Sequence, residues 1–151
     1  MRRVLLLCIA VLAAGCASAP ESTGPVVADQ STFLGLAVGQ VSELADPLAR
    51  AQLYQDIAAG YRLVDDQQSM RSLAVAALRL AQEAGQTEES VRTRLMLAPL
   101  LVVAGENELA VNALEAGLRY AAGSASSEVR SLILPLVVQG ALEFENPTSP
   151  I

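Results

Sequence analysis

The chain contains no histidine, no lysine and no tryptophan, and aromatic residues make up only 3% of its 151 positions. Without histidine, neither a Ser-His-Asp triad nor a Cys-His pair can be built, so these forms of nucleophilic catalysis are excluded. The usual zinc sites need histidine or several cysteines, and the chain has only Cys8 and Cys16. The sequence therefore predicts no metal and no other cofactor.

The amino-terminal region has the composition of a secretory signal. Arg2 and Arg3 precede an apolar run over residues 4–12, and small residues follow that run. A basic start, a short apolar core and small residues before a cleavage point are typical of such signals. The run is shorter than the roughly 20 residues that a membrane-spanning helix needs.

The segment 12–16, LAAGC, resembles the lipobox of bacterial lipoproteins, with Ala13 where that family prefers leucine. The resemblance implies cleavage before Cys16, a diacylglycerol on its thiol and an acyl chain on the new amino terminus. Ala17 follows in place of the aspartate that retains such proteins in the inner membrane, which implies an outer-membrane anchor and a periplasmic domain. Two alternatives are cleavage after Ala19 by the ordinary signal peptidase and an uncleaved hydrophobic anchor.

Lipidation would leave a mature chain without a free thiol, because Cys8 departs with the signal and Cys16 carries the lipid. Two of the ten arginines also leave, so eight arginines face 16 acidic residues and the net charge is −8. Phosphate backbones repel such a chain, so nucleic-acid binding is not expected. Electrostatic attraction to anionic lipid headgroups is equally disfavoured.

Composition divides the chain into four parts. Residues 1–15 are the predicted signal, and residues 16–30, with Pro, Gly and small polar residues, are predicted to be a flexible tether. Residues 31–145 show helical spacing of apolar residues and form the predicted domain. The segment 146–151 is predicted to be a disordered tail.

The domain is predicted to be all-α, with six helices, the first over 31–45 and the last over 127–144. Asp46 and Thr87 are predicted N-caps, and Gly85, Gly105 and Gly123 are predicted to end helices. Apolar residues recur at helical spacing in four of the predicted helices. In the first helix they are Leu34, Val38, Val41 and Ala45, and in the second Leu53, Ile57, Ala58 and Tyr61. In the third they are Met70, Leu73, Ala77, Leu78 and Ala81, and in the fifth Leu109, Ala110, Leu114 and Leu118.

The sequence repeats itself with a shift of 40 residues. Segment 77–81, ALRLA, aligns with 117–121, GLRYA, and Asp65-Asp66 aligns with Gly105-Glu106. A third, partial copy needs a shorter shift and aligns 98–102 with 134–138. Repetition of helix pairs at this period predicts a short α-solenoid, whose ends would expose apolar surface.

The repeats resemble tetratricopeptide-like helix hairpins over about residues 47–144. Ala58 and Tyr61, repeated as Ala98 and Leu101, stand a turn apart on the first helix of each pair, as in that family, and small residues stand where helices would cross, at Ala77, Ala110 and Gly117. The resemblance implies a concave groove lined by first helices, with Gln55, Ala59, Arg62, Arg92, Leu95 and Val102 as candidates. Since lysine is absent, the carboxylate-clamp form of the family is not expected.

Three arginines, Arg50, Arg92 and Arg130, fall near the starts of first helices. They could form a ladder of guanidinium groups for a carboxylate-bearing or peptide ligand. The interpretation we favour is local pairing of Arg50 with Asp46 and of Arg92 with Glu88, four residues earlier in each case.

Two further features are interpreted as structural. Asp65 and Asp66 are predicted to form an exposed turn with an N-cap role, because a catalytic carboxyl pair needs a shared cleft. Pro99 and Pro135 lie inside helical patterns and are predicted to bend their helices.

These observations predict a lipid-anchored periplasmic protein–protein interaction module, an adaptor or envelope assembly factor, that is not an enzyme. Its expected partners are the bilayer, through Cys16, and an envelope protein or a second copy of the chain. The alternatives are a lipoprotein that binds a peptide or small ligand in the groove and a carboxylate-based glycan-cleaving enzyme. The second would need two acids about 5–9.5 Å apart in one cleft.

Overall fold

A computed structural model of the chain describes residues 32–145. This part of the chain is all-helical and contains no strand, so the predicted all-α class is confirmed. The predicted signal, Cys16, the tether and the tail lie outside the described residues. The six helices are α1 (Phe33–Ser42), α2 (Pro47–Leu63), α3 (Gln67–Glu83), α4 (Glu88–Val103), α5 (Asn107–Gly123) and α6 (Ser127–Glu145).

Most helices begin at side-chain caps that the sequence encodes. The Asp46 carboxylate accepts a hydrogen bond from Leu48 N at 2.9 Å, and Pro47 occupies the first helical position. The Thr87 hydroxyl accepts from Ser90 N at 3.2 Å. Both predicted N-caps are therefore confirmed.

Helix α1 is shorter than the predicted 31–45. It begins after Thr32, whose hydroxyl accepts from Gly35 N at 3.1 Å, and it ends at Ser42. Ala45 lies beyond the helix and is exposed, so its prediction as a stripe residue is wrong. Asp46 is extended, with φ −76° and ψ 116°, as a residue before proline usually is, so the chain must leave α1 ahead of it.

The helix pairs α2–α3 and α4–α5 repeat the same turn at the predicted shift of 40. Asp65 has a φ of 58° and Gly105 a φ of 77°. Each is followed by a residue whose N–H donates back to the preceding helix, Asp66 to Tyr61 O at 3.0 Å and Glu106 to Leu101 O at 2.8 Å. This pattern is a Schellman C-cap, in which the left-handed residue normally is glycine. The predicted turn role of the two aspartates is confirmed, since the Asp66 carboxylate also caps α3 through Ser69 N at 3.0 Å.

Helices pack in the order of the chain, and first helices also contact one another. Helix α2 packs on α3, α4 on α5, α3 on α4, and α5 on α6. The first helices α2, α4 and α6 form a further series, in which α2 contacts α4 and α4 contacts α6, while α1 packs on α2. Buried apolar residues of all six helices thereby join into one core that runs along the stack.

The helical spacing identifies much of the core correctly. All five residues predicted on α3 are buried, as are Ile57, Ala58 and Tyr61 on α2. Leu53 and Leu118 are exceptions, being 41% and 48% exposed. Each stands one position from the residue that faces inward, Tyr54 or Gly117, and so is rotated by about 100° on the helix.

Small residues lie where helices approach closely. A β-carbon on Gly140 would lie 2.6 Å from Cδ2 of Leu114, which brings α6 against α5. Gly60 in α2 meets Leu34 of α1 in the same way, at 3.1 Å. Pro99 and Pro135 lie inside α4 and α6, as predicted.

Candidate functional site

A shallow concavity lies between α2 and α4, the first helices of the two hairpins. Its volume is about 240 Å³. Three residues come from α2 and four from α4, and together they are Gln52, Gln55, Asp56, Glu89, Arg92, Thr93 and Met96. We call this surface the α2–α4 groove.

Polar side chains join the two walls of the α2–α4 groove. Gln52 Nε2 donates to Glu89 Oε1 at 3.0 Å across the helix pair, and Thr93 Oγ1 donates to the Glu89 carbonyl at 2.9 Å. Arg92 is exposed and forms no hydrogen bond or ion pair with another residue in 32–145. Met96, 43% exposed, adds an apolar contact to this otherwise polar surface. The groove therefore offers one unpaired cation between amides and carboxylates.

Two of the predicted groove residues, Gln55 and Arg92, lie together in the α2–α4 groove. Arg62 and Val102 are half-buried and do not line it, and Ala59 is exposed elsewhere on α2. Leu95 is 1% exposed and packs against α5, so it offers no surface to a ligand. The shift of 40 residues aligns Leu95 with Gln55, but α5 covers Leu95, whereas Gln55 lies in the groove.

Arg50 and Arg92, near the starts of first helices, do not form the predicted local pairs. Asp46 instead accepts from its own helix, and arginines form ion pairs elsewhere, at Arg71–Glu106 and Arg119–Glu115. Arg50 is half-buried, and its Nε has no hydrogen-bond partner among the described residues. Arg130 Nη1 donates to the Ser124 carbonyl at 2.6 Å. The prediction of Asp46–Arg50 and Glu88–Arg92 pairs is therefore wrong.

A buried arginine that the sequence reasoning did not select holds the end of α3. Arg94 is 4% exposed, and its guanidinium donates to the carbonyls of Ala81 and Gly85 and to the Ser90 hydroxyl. Burial lowers the pKa of Arg94. In the two hairpin turns, the carbonyls of Tyr61 and Leu101 accept backbone N–H groups. The carbonyl of Ala81 has the same place at the end of α3, but it accepts from Arg94 and from Ser90 Oγ, the latter at 2.5 Å.

The alignment of the two repeats contains a signal for this buried arginine. Arg94 occupies the position that Tyr54 has in the first repeat, and both side chains are buried. Burial raises the pKa of Tyr54 above 10.0, and the nearby Arg50 charge partly opposes that shift. An aromatic residue at this helical position is expected to be buried. The alignment of Arg94 with Tyr54 is therefore the signal that could have identified Arg94 as buried.

The outer side of α6 is apolar, and no helix of residues 32–145 covers it. Leu134 is 43% exposed, Val138 58% and Leu142 54%, and they recur at intervals of four residues. Such spacing places them on one side of a helix. We call these three residues the α6 face.

Within the described range, no group of three or more His, Cys, Asp or Glu residues is arranged to hold a metal ion. A helix with the length and apolarity to cross a membrane is likewise absent from residues 32–145. Comparison of the chain with protein-family models, with curated proteins and with solved structures finds no match.

Proposed function

We propose that the chain is a periplasmic protein–protein interaction module, a short solenoid of tetratricopeptide-like hairpins tethered to the outer membrane through lipidated Cys16. The domain acts as an adaptor or assembly factor and catalyses no reaction of its own. The packing of first helices on one another, and of each second helix on the next first helix, supports the solenoid arrangement.

The observation that carries the proposal is the uncovered α6 face. Aligning Pro99 with Pro135 places Ala98 over Leu134. Ala98 is fully buried, whereas Leu134 is 43% exposed. This side of α4 is covered by α6, since Ala98 Cβ lies 3.5 Å from the position of a β-carbon on Gly140, while within residues 32–145 no helix covers the corresponding side of α6. A helix of a partner protein, packing as α6 packs on α4, would bury this face.

The α2–α4 groove supports a second candidate function, the binding of an extended peptide. Its volume of about 240 Å³ is below the roughly 300–1,000 Å³ of typical small-molecule pockets. A peptide lying along α2 and α4 could use the amides of Gln52 and Gln55 and the charge of Arg92. The shallow shape favours a peptide over an enclosed small ligand.

The groove gives little support to carboxylate catalysis. Asp56 and Glu89 line it, and both side chains are exposed. A general acid at neutral pH needs a desolvated carboxyl whose environment differs from that of its partner. Two exposed carboxylates lack that difference, so a binding role is the better proposal.

Site-specific photo-crosslinking in intact cells tests the partner-helix proposal. We expect a photoreactive residue at Val138 to form a discrete protein adduct. The same residue at Val111 of α5, which is 42% exposed, is the control and should form none. Absence of an adduct at Val138, or equal adducts at both positions, would contradict the proposal. Mass spectrometry of the mature amino terminus tests the anchor separately, because an unmodified start at Pro20 excludes it.

A further inference from the structure

The four most exposed large apolar side chains in residues 32–145 all lie in α1 and at the end of α2. Leu63 is 87% exposed, Phe33 84%, Val64 63% and Leu36 62%. On the α6 face the most exposed residue, Val138, reaches only 58%. We call these four residues the N-terminal tip.

The four residues of the N-terminal tip belong to one end of the domain. Leu34 Cδ2 lies 3.1 Å from the position of a β-carbon on Gly60, so the start of α1 lies beside the last turn of α2. Phe33 precedes Leu34, while Leu63 and Val64 follow Gly60 within about one turn. Phe33 and Leu36, three residues apart, share a side of α1.

We propose that the N-terminal tip inserts into the surface of the lipid bilayer. This inference rests on the proposed lipid anchor. Phe33 is the seventeenth residue after Cys16, and such a segment spans at most about 60 Å. An acylated Cys16 would therefore keep the tip within about 60 Å of a bilayer, and the tip is the first part of the domain after the tether.

The shape of the tip favours lipid over a protein surface. Side chains that are 84% and 87% exposed project from the domain, and a fluid bilayer accepts projecting apolar groups without a preformed complementary pocket. Pairing of two copies through the tip would bring the Asp65 and Asp66 carboxylates of both copies together, which charge repulsion disfavours. The tip is too short to span the membrane, so the contact is interfacial.

The carboxylates next to the N-terminal tip determine which lipid headgroup charge the tip prefers. Asp65 directly follows Val64 and is exposed, and the same turn carries Asp66. An anionic surface repels these carboxylates, so the tip should insert more readily into zwitterionic than into anionic bilayers. Each large apolar side chain that leaves water fully strengthens partitioning by about tenfold or more.

The absence of tryptophan from the chain permits a direct test. Phe33→Trp gives a single tryptophan in the tip, and Leu118→Trp, at a position 48% exposed on α5, is the matched control. The acylated full chain of each variant is reconstituted in phosphatidylcholine vesicles whose acyl chains are either plain or brominated. We expect brominated lipid to quench the indole fluorescence of the Phe33→Trp variant and to leave that of the Leu118→Trp variant unquenched. Adding Leu63→Ser to the Phe33→Trp variant should weaken its quenching.

Each outcome of this experiment decides a separate point. If the protein floats with the vesicles and the tip variant is quenched no more than the α5 control, the tip does not enter the bilayer, although the anchor stands. If mass spectrometry finds no acyl chain, the anchor fails, and the unacylated chain at high lipid concentration still tests the tip through the same quenching. A blue shift of the tip tryptophan that depends on protein concentration and not on lipid would indicate pairing of copies and overturn the inference.

Discussion

Cδ2 of Leu95 lies 2.6 Å from the position that a β-carbon on Gly117 would occupy, and Cδ1 lies at 2.9 Å. Leu95 is almost fully buried in α4, and Gly117 is buried inside α5. Glycine within a helix costs roughly 1 kcal/mol relative to alanine. The close packing of α4 on α5 therefore requires a residue that is unfavourable for the helix itself.

Gly117→Ala should destabilise the domain by about 1–2 kcal/mol, because overpacking against Leu95 exceeds the gain in helix propensity. Chemical denaturation of the purified domain measures the change. Gly39→Ala is the matched control, since a β-carbon at Gly39 in α1 meets nothing within 4 Å. That substitution should stabilise by about 0.5–1 kcal/mol.

A double-mutant cycle assigns the cost of Gly117→Ala to one contact. Leu95→Ala alone should cost about 2–5 kcal/mol through the cavity it leaves. In that background Gly117→Ala should no longer destabilise, because the Leu95 methyl groups are gone. Additive free-energy changes in the cycle would show that the clash lies elsewhere.

Asp65→Gly should stabilise the domain by about 0.5 kcal/mol. Asp65 holds a φ of 58°, which costs a non-glycine residue roughly 1–2 kcal/mol, and the greater freedom of glycine in the unfolded chain offsets part of the gain. Gly105→Asp makes the reverse change at the equivalent turn and should destabilise. Asp65→Asn controls for charge, since it keeps a side chain and removes the carboxylate. Equal stabilisation by Asn and Gly would assign the effect to charge.

Several helix starts and the hairpin turns could be predicted from sequence because their causes are local. Asp46, Pro47 and Thr87 cap helices through neighbours two or three residues away. Gly105 ends α4 through its own left-handed conformation. The same local pattern recurs 40 residues later in the second hairpin. A turn predicted in one hairpin therefore supports the prediction of the equivalent turn in the other.

The candidate site could be predicted only in part, because side-chain surroundings depend on how helices cross. Gln55 and Arg92 lie in the α2–α4 groove, but Leu95, placed by the same alignment, is covered by α5. The Asp46 carboxylate is spaced to pair with Arg50 and instead caps its own helix. Sequence spacing gives the distance between Asp46 and Arg50 along the helix. It does not show that the backbone N–H of Leu48 competes with the Arg50 guanidinium for the carboxylate.

Arg94→Ala should destabilise the domain by about 3 kcal/mol. The guanidinium donates to carbonyls at the end of α3, and hydrogen bonds of a charged donor contribute roughly 1.5–3 kcal/mol where burial prevents water from replacing them. Thermal or urea unfolding measures the loss. Arg79→Ala, on the exposed side of α3, is the control and should change stability by less than about 0.5 kcal/mol.

Arg94→Met separates hydrogen bonding from packing at the same position. Methionine fills much of the space without burying a charge, so its cost should be smaller than that of alanine. If methionine and alanine cost the same, the hydrogen bonds to Ala81 and Gly85 account for the whole effect. If neither variant destabilises, the guanidinium does not hold the end of α3.

Stability should fall as the pH rises above 10 because of Tyr54. Burial raises the pKa of its phenol in the folded state, so the protonated form is favoured there, while the unfolded chain ionises at the ordinary value of 10.0. The contribution is fully present below pH 10 and is lost as the pH rises toward the folded-state pKa, at up to about 1.4 kcal/mol per pH unit. Urea unfolding of the wild type and of Tyr54→Phe between about pH 9 and 11 measures it. The phenylalanine variant should lose less stability over that range, and parallel curves for the two proteins would rule out Tyr54 as the source. Arg50→Gln removes the opposing charge, so tyrosinate absorbance should show a still higher pKa for Tyr54 in that variant.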